Sequence, residues 1–224
     1  MLLGNCVLAT VARVWRHRER VEWEAADQFA RLAVELEHVD ADPAVIELAT
    51  RAAADERTHA AMCRALVDQY GPELAPQSPS LGGQLGPRHA ARDRRTLYAC
   101  VAMSCVTETL SAALLLQMRD RAKLGLVRDT VHHILKDEID HSRLGWAHLA
   151  AEAQRTDVSW LGAHIGGMLR GAMASDLEPM GQAAESVEDL SAFGILSAAI
   201  VQEVYLQTVS DVIEPGFARF GIRV

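Results

Sequence analysis

Four of the chain's seven prolines and four of its fifteen glycines fall within residues 71–89 (GPELAPQSPSLGGQLGPRH). Proline inside a helix removes a hydrogen bond and clashes with the preceding turn, so this stretch is a loop. On either side, Ala, Leu, Glu and Arg dominate, and no alternating Val/Ile/Thr-rich run of strand length interrupts them. Such flanks are helical. The sequence therefore predicts an all-α chain in which one long crossover separates two groups of helices.

In the first group, one helix runs from about Arg16 to His38. Asp42-Pro43 then supplies an N-cap and a first-turn proline for a second helix ending near Tyr70-Gly71. The connection is short, which makes the two antiparallel neighbours. Beyond the loop, a third helix spans about Ala90 to Arg121, Lys123-Leu124-Gly125 makes a tight turn, and a fourth helix runs to about Gln154. Two hairpins joined by one long crossover form the ferritin-like kind of four-helix bundle. Residues 1–155 make up this bundle, with the crossover at 71–89. Residues 156–224 form an extension of two further helices, near 158–175 and 188–213, packed on the bundle. Glycines in the first of these (Gly162, Gly166, Gly167, Gly171) read as sites of close local packing.

Composition removes several functions. Asp+Glu outnumber Lys+Arg by 30 to 22, a net charge of −8, which argues against a nucleic-acid partner. The cysteines (Cys6, Cys63, Cys100, Cys105) are too few for a disulfide scaffold, and no C-x-x-C pair occurs to hold zinc or a rubredoxin-like centre. The apolar stretches 1–14 and 191–202 are shorter than the roughly 20 residues a spanning helix needs. No basic segment precedes the first of them, so no membrane span, no signal peptide and a cytoplasmic location are expected. The stretch 191–202 either packs within the chain or forms a homodimer face.

Three E-x-x-H tetrads occur: Glu35/His38, Glu56/His59 and Glu138/His141. Residues three apart share a helix face, so each tetrad could offer a carboxylate and an imidazole to one metal. Two tetrads sit in matching frames, Asp55-Glu56-Arg57-Thr58-His59 and Asp137-Glu138-Ile139-Asp140-His141, each inside the second helix of a hairpin. Their faces are otherwise apolar: Ala49, Ala52, Cys63 and Leu66 around Glu56, and Val131, Ile134 and Gly145 around Glu138. A buried, unpaired charge costs several kcal/mol, and metal binding satisfies all four groups at once. Glu35/His38 shares its face with Gln28 and Arg31 and reads as a solvent pair.

A dinuclear bundle site also draws one Glu from each of the other two helices. On helix three only Glu108 qualifies, flanked by Val101, Cys105, Ala112 and Leu115. On helix one, steps of three and four from Glu22 meet Ala26, Phe29, Ala33 and Leu36, whereas the same walk from Glu24 meets Gln28, Arg31, Glu35 and His38. Two residues along a helix turn a side chain to nearly the opposite face, which selects Glu22. The expected ligands are Glu22, Glu56, His59, Glu108, Glu138 and His141. Four Glu and two His suit iron or manganese, and the absence of thiolate ligands argues against structural zinc. Two iron ions, or a manganese–iron pair, are the expected cofactor.

These residues resemble the ferritin-like superfamily of di-iron carboxylate proteins, and in particular the bacterial ferritin-like domain proteins. Glu22 followed by Phe29-Ala30-Arg31-Leu32 looks like the family's first-helix motif, and Cys105-Val106-Thr107-Glu108-Thr109 resembles its third. The similarity covers about residues 16–154; Trp23-Glu24 departs from the small or His residues usual after the first ligand. It implies the metal roles of the six residues, with Glu56 and Glu138 as bridges. It also implies that Asp55 and Asp137 hydrogen-bond the outer nitrogens of the metal histidines. The expected activity is that of an oxygen-activating oxidoreductase. Its partners would be dioxygen or peroxide, a small-molecule substrate and an electron donor, neither of which the sequence names. A ferroxidase or peroxide-handling protein, and a non-enzymatic metal-binding module, remain open alternatives.

Overall fold

The structure, a computed structural model, describes residues 2–77, 86, 91–183 and 190–224. Of the crossover expected over 71–89, only residues 71–77 and 86 are therefore described; 71–77 hold turns and no helix. Among the described residues every regular element is a helix. α1 is Leu2–His38, α2 Pro43–Tyr70, α3 Arg92–Arg121, α4 Gly125–Arg155, α5 Gly162–Ala183, and α6 covers 198–218.

Helix ends follow local chemistry. The Asp42 carboxylate accepts a hydrogen bond from the Ala44 amide (2.8 Å) and Pro43 opens α2, while the Gly71 amide closes it on the Val67 carbonyl (2.8 Å). Three expectations need correction. In the extension the helices expected near 158–175 and 188–213 are Gly162–Ala183 and 198–218, the last starting late because Ser191–Phe193 is a 3-10 turn ended by Gly194 at a positive φ of 73°. α1 starts at Leu2, not Arg16, because Val11, Val14 and Trp15 continue its apolar stripe into the core. α3 is not uniform: Val101–Glu108 winds as a π-helix between two α-helical segments. Thr107 and Thr109 turn their hydroxyls back to the carbonyls five residues earlier, Ala102 (3.0 Å) and Ser104 (3.5 Å), the spacing of that wider turn.

The π segment lies against α4 at Gly145. A Cβ there would stand 2.6 Å from the Ser104 Cβ and 2.7 Å from the Cys105 amide nitrogen, so only glycine admits this approach. Close packing expected of the α5 glycines holds only for Gly162, which meets the Arg223 carbonyl; a Cβ on Gly171 would meet nothing within 4 Å.

The core is in two parts. One apolar cluster joins Val11, Trp15, Leu66, Leu115 and Ile134 of the bundle to Leu161, Ile165, Tyr205, Ile213 and Phe217 of the extension. From the stretch 191–202, Ile195, Leu196 and Val201 are buried in that cluster. A second cluster gathers Phe29, Leu36, Val45, Ala49, Met103 and Leu144 at the other end of the bundle. Along α1, α2 and α4, the buried polar residues Glu22, Glu56, His59, Glu138 and His141 fall between them. α3 is also, by length and hydropathy, able to cross a membrane, which the sequence reading did not identify; just over half of its apolar window (56%) is buried inside the fold.

Candidate metal centre

All six expected ligands are buried, none more than 5% exposed, and they converge from four helices. Their donor atoms form two overlapping groups. Glu22, Glu56, His59 and Glu138 offer atoms within 4.8 Å of one another, and so do Glu56, Glu108, Glu138 and His141. Each group has one histidine and one glutamate of its own, and both share Glu56 and Glu138. Groups that share residues in this way could each hold a metal ion. Glu24, by contrast, is half-buried and pairs with Arg20 at 2.8 Å, and Glu35 reaches outward to Arg92 at 3.4 Å. The cluster is thus a buried carboxylate–histidine site able to hold metal.

Both imidazoles are oriented alike. His59 Nδ1 lies 3.3 Å from Glu56 Oε2, and His141 Nδ1 lies 3.0 Å from Glu138 Oε2, so each Nδ1 faces the cluster. The outer Nε2 atoms meet Asp137 (3.1 Å, from His59) and Asp55 (3.4 Å, from His141). The pairing is crossed: each hairpin's aspartate holds the other hairpin's histidine. An Nε2–H donated to a carboxylate fixes the tautomer with Nδ1 free to ligate. Phe29 packs against the His141 ring at 5.4 Å, and Arg51 of α2 ties to Asp140 of α4 at 3.2 Å on the outer surface.

The electrostatics follow from crowding acids in a dry core. Burial, reinforced by the Glu56 carboxylate, pushes Glu22 well above the usual range. Burial, reinforced by Glu138 and then Glu56, does the same to Glu108. Burial works against charge on the histidines too, but contact with Glu56 and Glu22 carries His59 up to about 10, and Glu138 with Glu56 carries His141 to about 11. Glu56 moves the other way, since the two imidazoles outweigh its burial. Without metal, burial and the neighbouring charges favour the protonated forms of both histidines, Glu22 and Glu108, which keeps a carboxylate cluster tolerable in the interior. One acceptor is still unsatisfied. Glu56 Oε1 lies 3.1 Å from His141 Nδ1, whose hydrogen bond goes to Glu138 instead, and it has no hydrogen bond of its own. The residues fit a metal pair on this donor chemistry.

A cavity of about 210 Å³ reaches the cluster between α1 and α3. Glu22, Glu56, Glu108 and Glu138 form its inner wall, and Gly171, Ala172 and Ser175 of α5 form part of its rim. The sequence reading missed Met103, Thr107 and Ser111 on this wall. They carry no metal-ligand signature, and only the α1/α3 register brings them to the site. Cys63 and Cys105 are buried and their thiols pushed well up by burial, which makes them packing residues rather than nucleophiles.

No protein-family model matches the chain, and no curated protein or solved structure matches it.

Proposed function

We propose that the chain is a ferritin-like dinuclear metal carboxylate protein and an oxygen-activating oxidoreductase acting on a small molecule. The observation that carries the reading is the pair of four-residue groups sharing Glu56 and Glu138. The charge balance supports it: two divalent cations offset four ionised carboxylates, and the histidines bind as neutral ligands once their Nδ1 protons leave. The donor set of carboxylates with two imidazoles suits iron or manganese. Such a pair, di-iron or manganese–iron, supplies redox chemistry toward dioxygen or peroxide.

The chain's own residues prepare the rest. Asp137 and Asp55 hold the two imidazoles with Nδ1 inward. Glu22 and Glu108 would give up their protons on loading, as bound carboxylates must. Ser111 donates to Glu138 Oε1 at 3.5 Å and steadies that carboxylate at the cavity wall. The α5 residues beside the cavity limit solvent access, and a substrate would enter along the α1/α3 seam.

The test is metal content by plasma mass spectrometry, followed by absorption when air meets the ferrous-loaded protein. About two irons per chain and a transient near-ultraviolet or visible band are expected. Metal bound without any oxygen response would refute the oxidoreductase assignment, and no metal under iron- and manganese-replete conditions would refute the centre itself.

A further inference from the structure

Away from the cluster, most polar side chains that wall the cavity of about 210 Å³ are already engaged. Arg18 faces Glu22 at 3.9 Å, Glu24 pairs with Arg20 at 2.8 Å, and a His17 ring nitrogen lies 3.2 Å from the Ser175 carbonyl. The Thr107 hydroxyl donates to the Ala102 carbonyl and the Ser111 hydroxyl to Glu138, while Ser175 itself stands exposed at the rim. Gln28 differs. Its side chain is half-buried on the wall and has no hydrogen bond among the described residues. A carboxamide carries one acceptor oxygen and two donor hydrogens, and leaving them without partners in a partly dry cavity costs free energy that a ligand can recover. Aliphatic contact in the same cavity comes from Val21, Ala25, Met103 and Ala172. At about 1.5 Å per residue, Gln28 stands about 9 Å along α1 from Glu22, a distance that a short chain spans.

We propose that this cavity takes a short, neutral aliphatic molecule with one group that both donates and accepts a hydrogen bond, a primary amide or an alcohol, and that Gln28 selects it. The proposal rests on the metal-site reading for what happens at the cluster, but not for the binding itself. Size, charge and hydrogen bonding each narrow the occupant. The cavity holds the share of about seven waters at about 30 Å³ each, which admits a molecule of about that many non-hydrogen atoms. Two divalent cations balance the four glutamates of the inner wall, and Arg18 and Glu24 already have partners. An ionised ligand would therefore bring in a charge with nothing left to pair it. Gln28 donates and accepts at once, and an amide or a hydroxyl matches both roles, whereas a ketone only accepts. A site built this way rejects the analogue without a donor, because its own acceptor is then left unpaired. The aliphatic side chains take the body of the molecule, whose far end lies toward the glutamates.

The experiment is a nuclear magnetic resonance titration of the full-length protein, isotopically labelled at its methionine methyl groups, metal-free and again after loading with zinc as a diamagnetic substitute. Met103 lines the cavity, and the resonance missing from Met103→Leu identifies its methyl group. Butanamide should shift that resonance to saturation. Methyl propyl ketone has the same shape with a methyl group in place of the amide nitrogen. It should bind about fivefold more weakly, the factor for one neutral hydrogen bond. Gln28→Leu puts a good helix former at a half-buried position and should remove that difference while leaving iron content at the parental level. Adamantanecarboxamide carries the same head on a body too large for the cavity and should leave Met103 unmoved. No shift with butanamide, equal binding of amide and ketone, a preference that survives in Gln28→Leu, or a Met103 shift with adamantanecarboxamide would each overturn the proposal. A protein that loads two metal ions yet gives one of these results keeps its metal centre and loses the proposal. A protein that binds no metal but still discriminates amide from ketone keeps the cavity assignment and loses only its link to the cluster.

Discussion

The two hairpins deliver the same set of buried carboxylates and histidine by different means. The α1/α2 half presents Glu22, Glu56 and His59 from two α-helices with no π segment at the ligand positions. The α3/α4 half presents Glu108, Glu138 and His141, but Glu108 closes a π-helical segment and α4 needs Gly145 to receive it. The lone glutamate precedes its tetrad partner by 34 residues in the first half and by 30 in the second. A wider turn rephases the residues beyond it, and here it ends at a ligand beside the cavity. The halves also differ at their outer shell: Asp137, which holds His59, has a second imidazole neighbour in His133 (3.6 Å), whereas the contact of Asp55 with His141 is longer. A sequence repeat of ligands thus coexists with unequal backbones, because a ligand set constrains where donor atoms meet and not how each helix arrives.

Ligand removal tests the comparison most severely. Glu56→Ala and Glu138→Ala strip a residue common to both groups and should abolish binding of both ions, whereas Glu22→Ala and Glu108→Ala should each cost one ion first. Metal stoichiometry decides: full loading in Glu108→Ala would dissolve the pairing of the halves, and metal loss in Glu24→Ala would shift the α1 ligand. The aspartates come next. Asp137→Asn should weaken metal binding by about 10–100-fold, with Asp55→Asn toward the lower end, as read by competition with a chelating dye. Equal effects would mean that the shorter Asp137 contact and His133 contribute nothing.

Backbone geometry sets the third expectation. Gly145→Ala forces a Cβ into the π segment and should destabilise the fold by about 1–3 kcal/mol, whereas Gly171→Ala, in open space, should gain up to about 1 kcal/mol. Thermal unfolding reads both, at about 2–4 °C per kcal/mol for a chain of this size. A neutral Gly145→Ala would show that the π segment can move away, and with it the claimed asymmetry.

The mildest expected effect is on pH. The raised values of Glu22, Glu108, His59 and His141 favour their protonated forms in the metal-free fold. That stabilisation is complete below the unfolded values, about 4.3 for Glu and 6.5 for His, and is lost as pH rises through the folded ones. For the histidines, those are about 10 and 11. The metal-free protein should therefore weaken with rising pH, and loading at neutral pH should release protons, measurable as a buffer-dependent heat. A metal-free stability that rises between pH 7 and 10 would contradict the proton inventory.

Much of this was legible in the chain. Apolar neighbours at helical spacing singled out Glu22 over Glu24, and the full burial of Glu22 and the half-burial of Glu24 beside Arg20 follow from that face. The proline-rich stretch marked a break between hairpins, and Asp42-Pro43 set the start of α2 within a residue. The start of α1 was not legible, because Val7, Val11 and Trp15 read as an isolated apolar stretch until the extension is there to cover them. The π segment was equally hidden: a 3.6-residue period is assumed in any helical walk, and Val101 to Glu108 carry no proline or glycine to warn of a change.

The sequence by itself determined the helices, their apolar faces and the six side chains that turn inward, since these depend on periodicity and on the penalty for burying acids without partners. Only the tertiary structure decided that Glu56 and Glu138 are shared by both groups and that each aspartate serves the opposite hairpin. Those facts depend on how helices distant in sequence are set against one another in rotation and height, and that register is a property of the packed core, which no local pattern along one helix records.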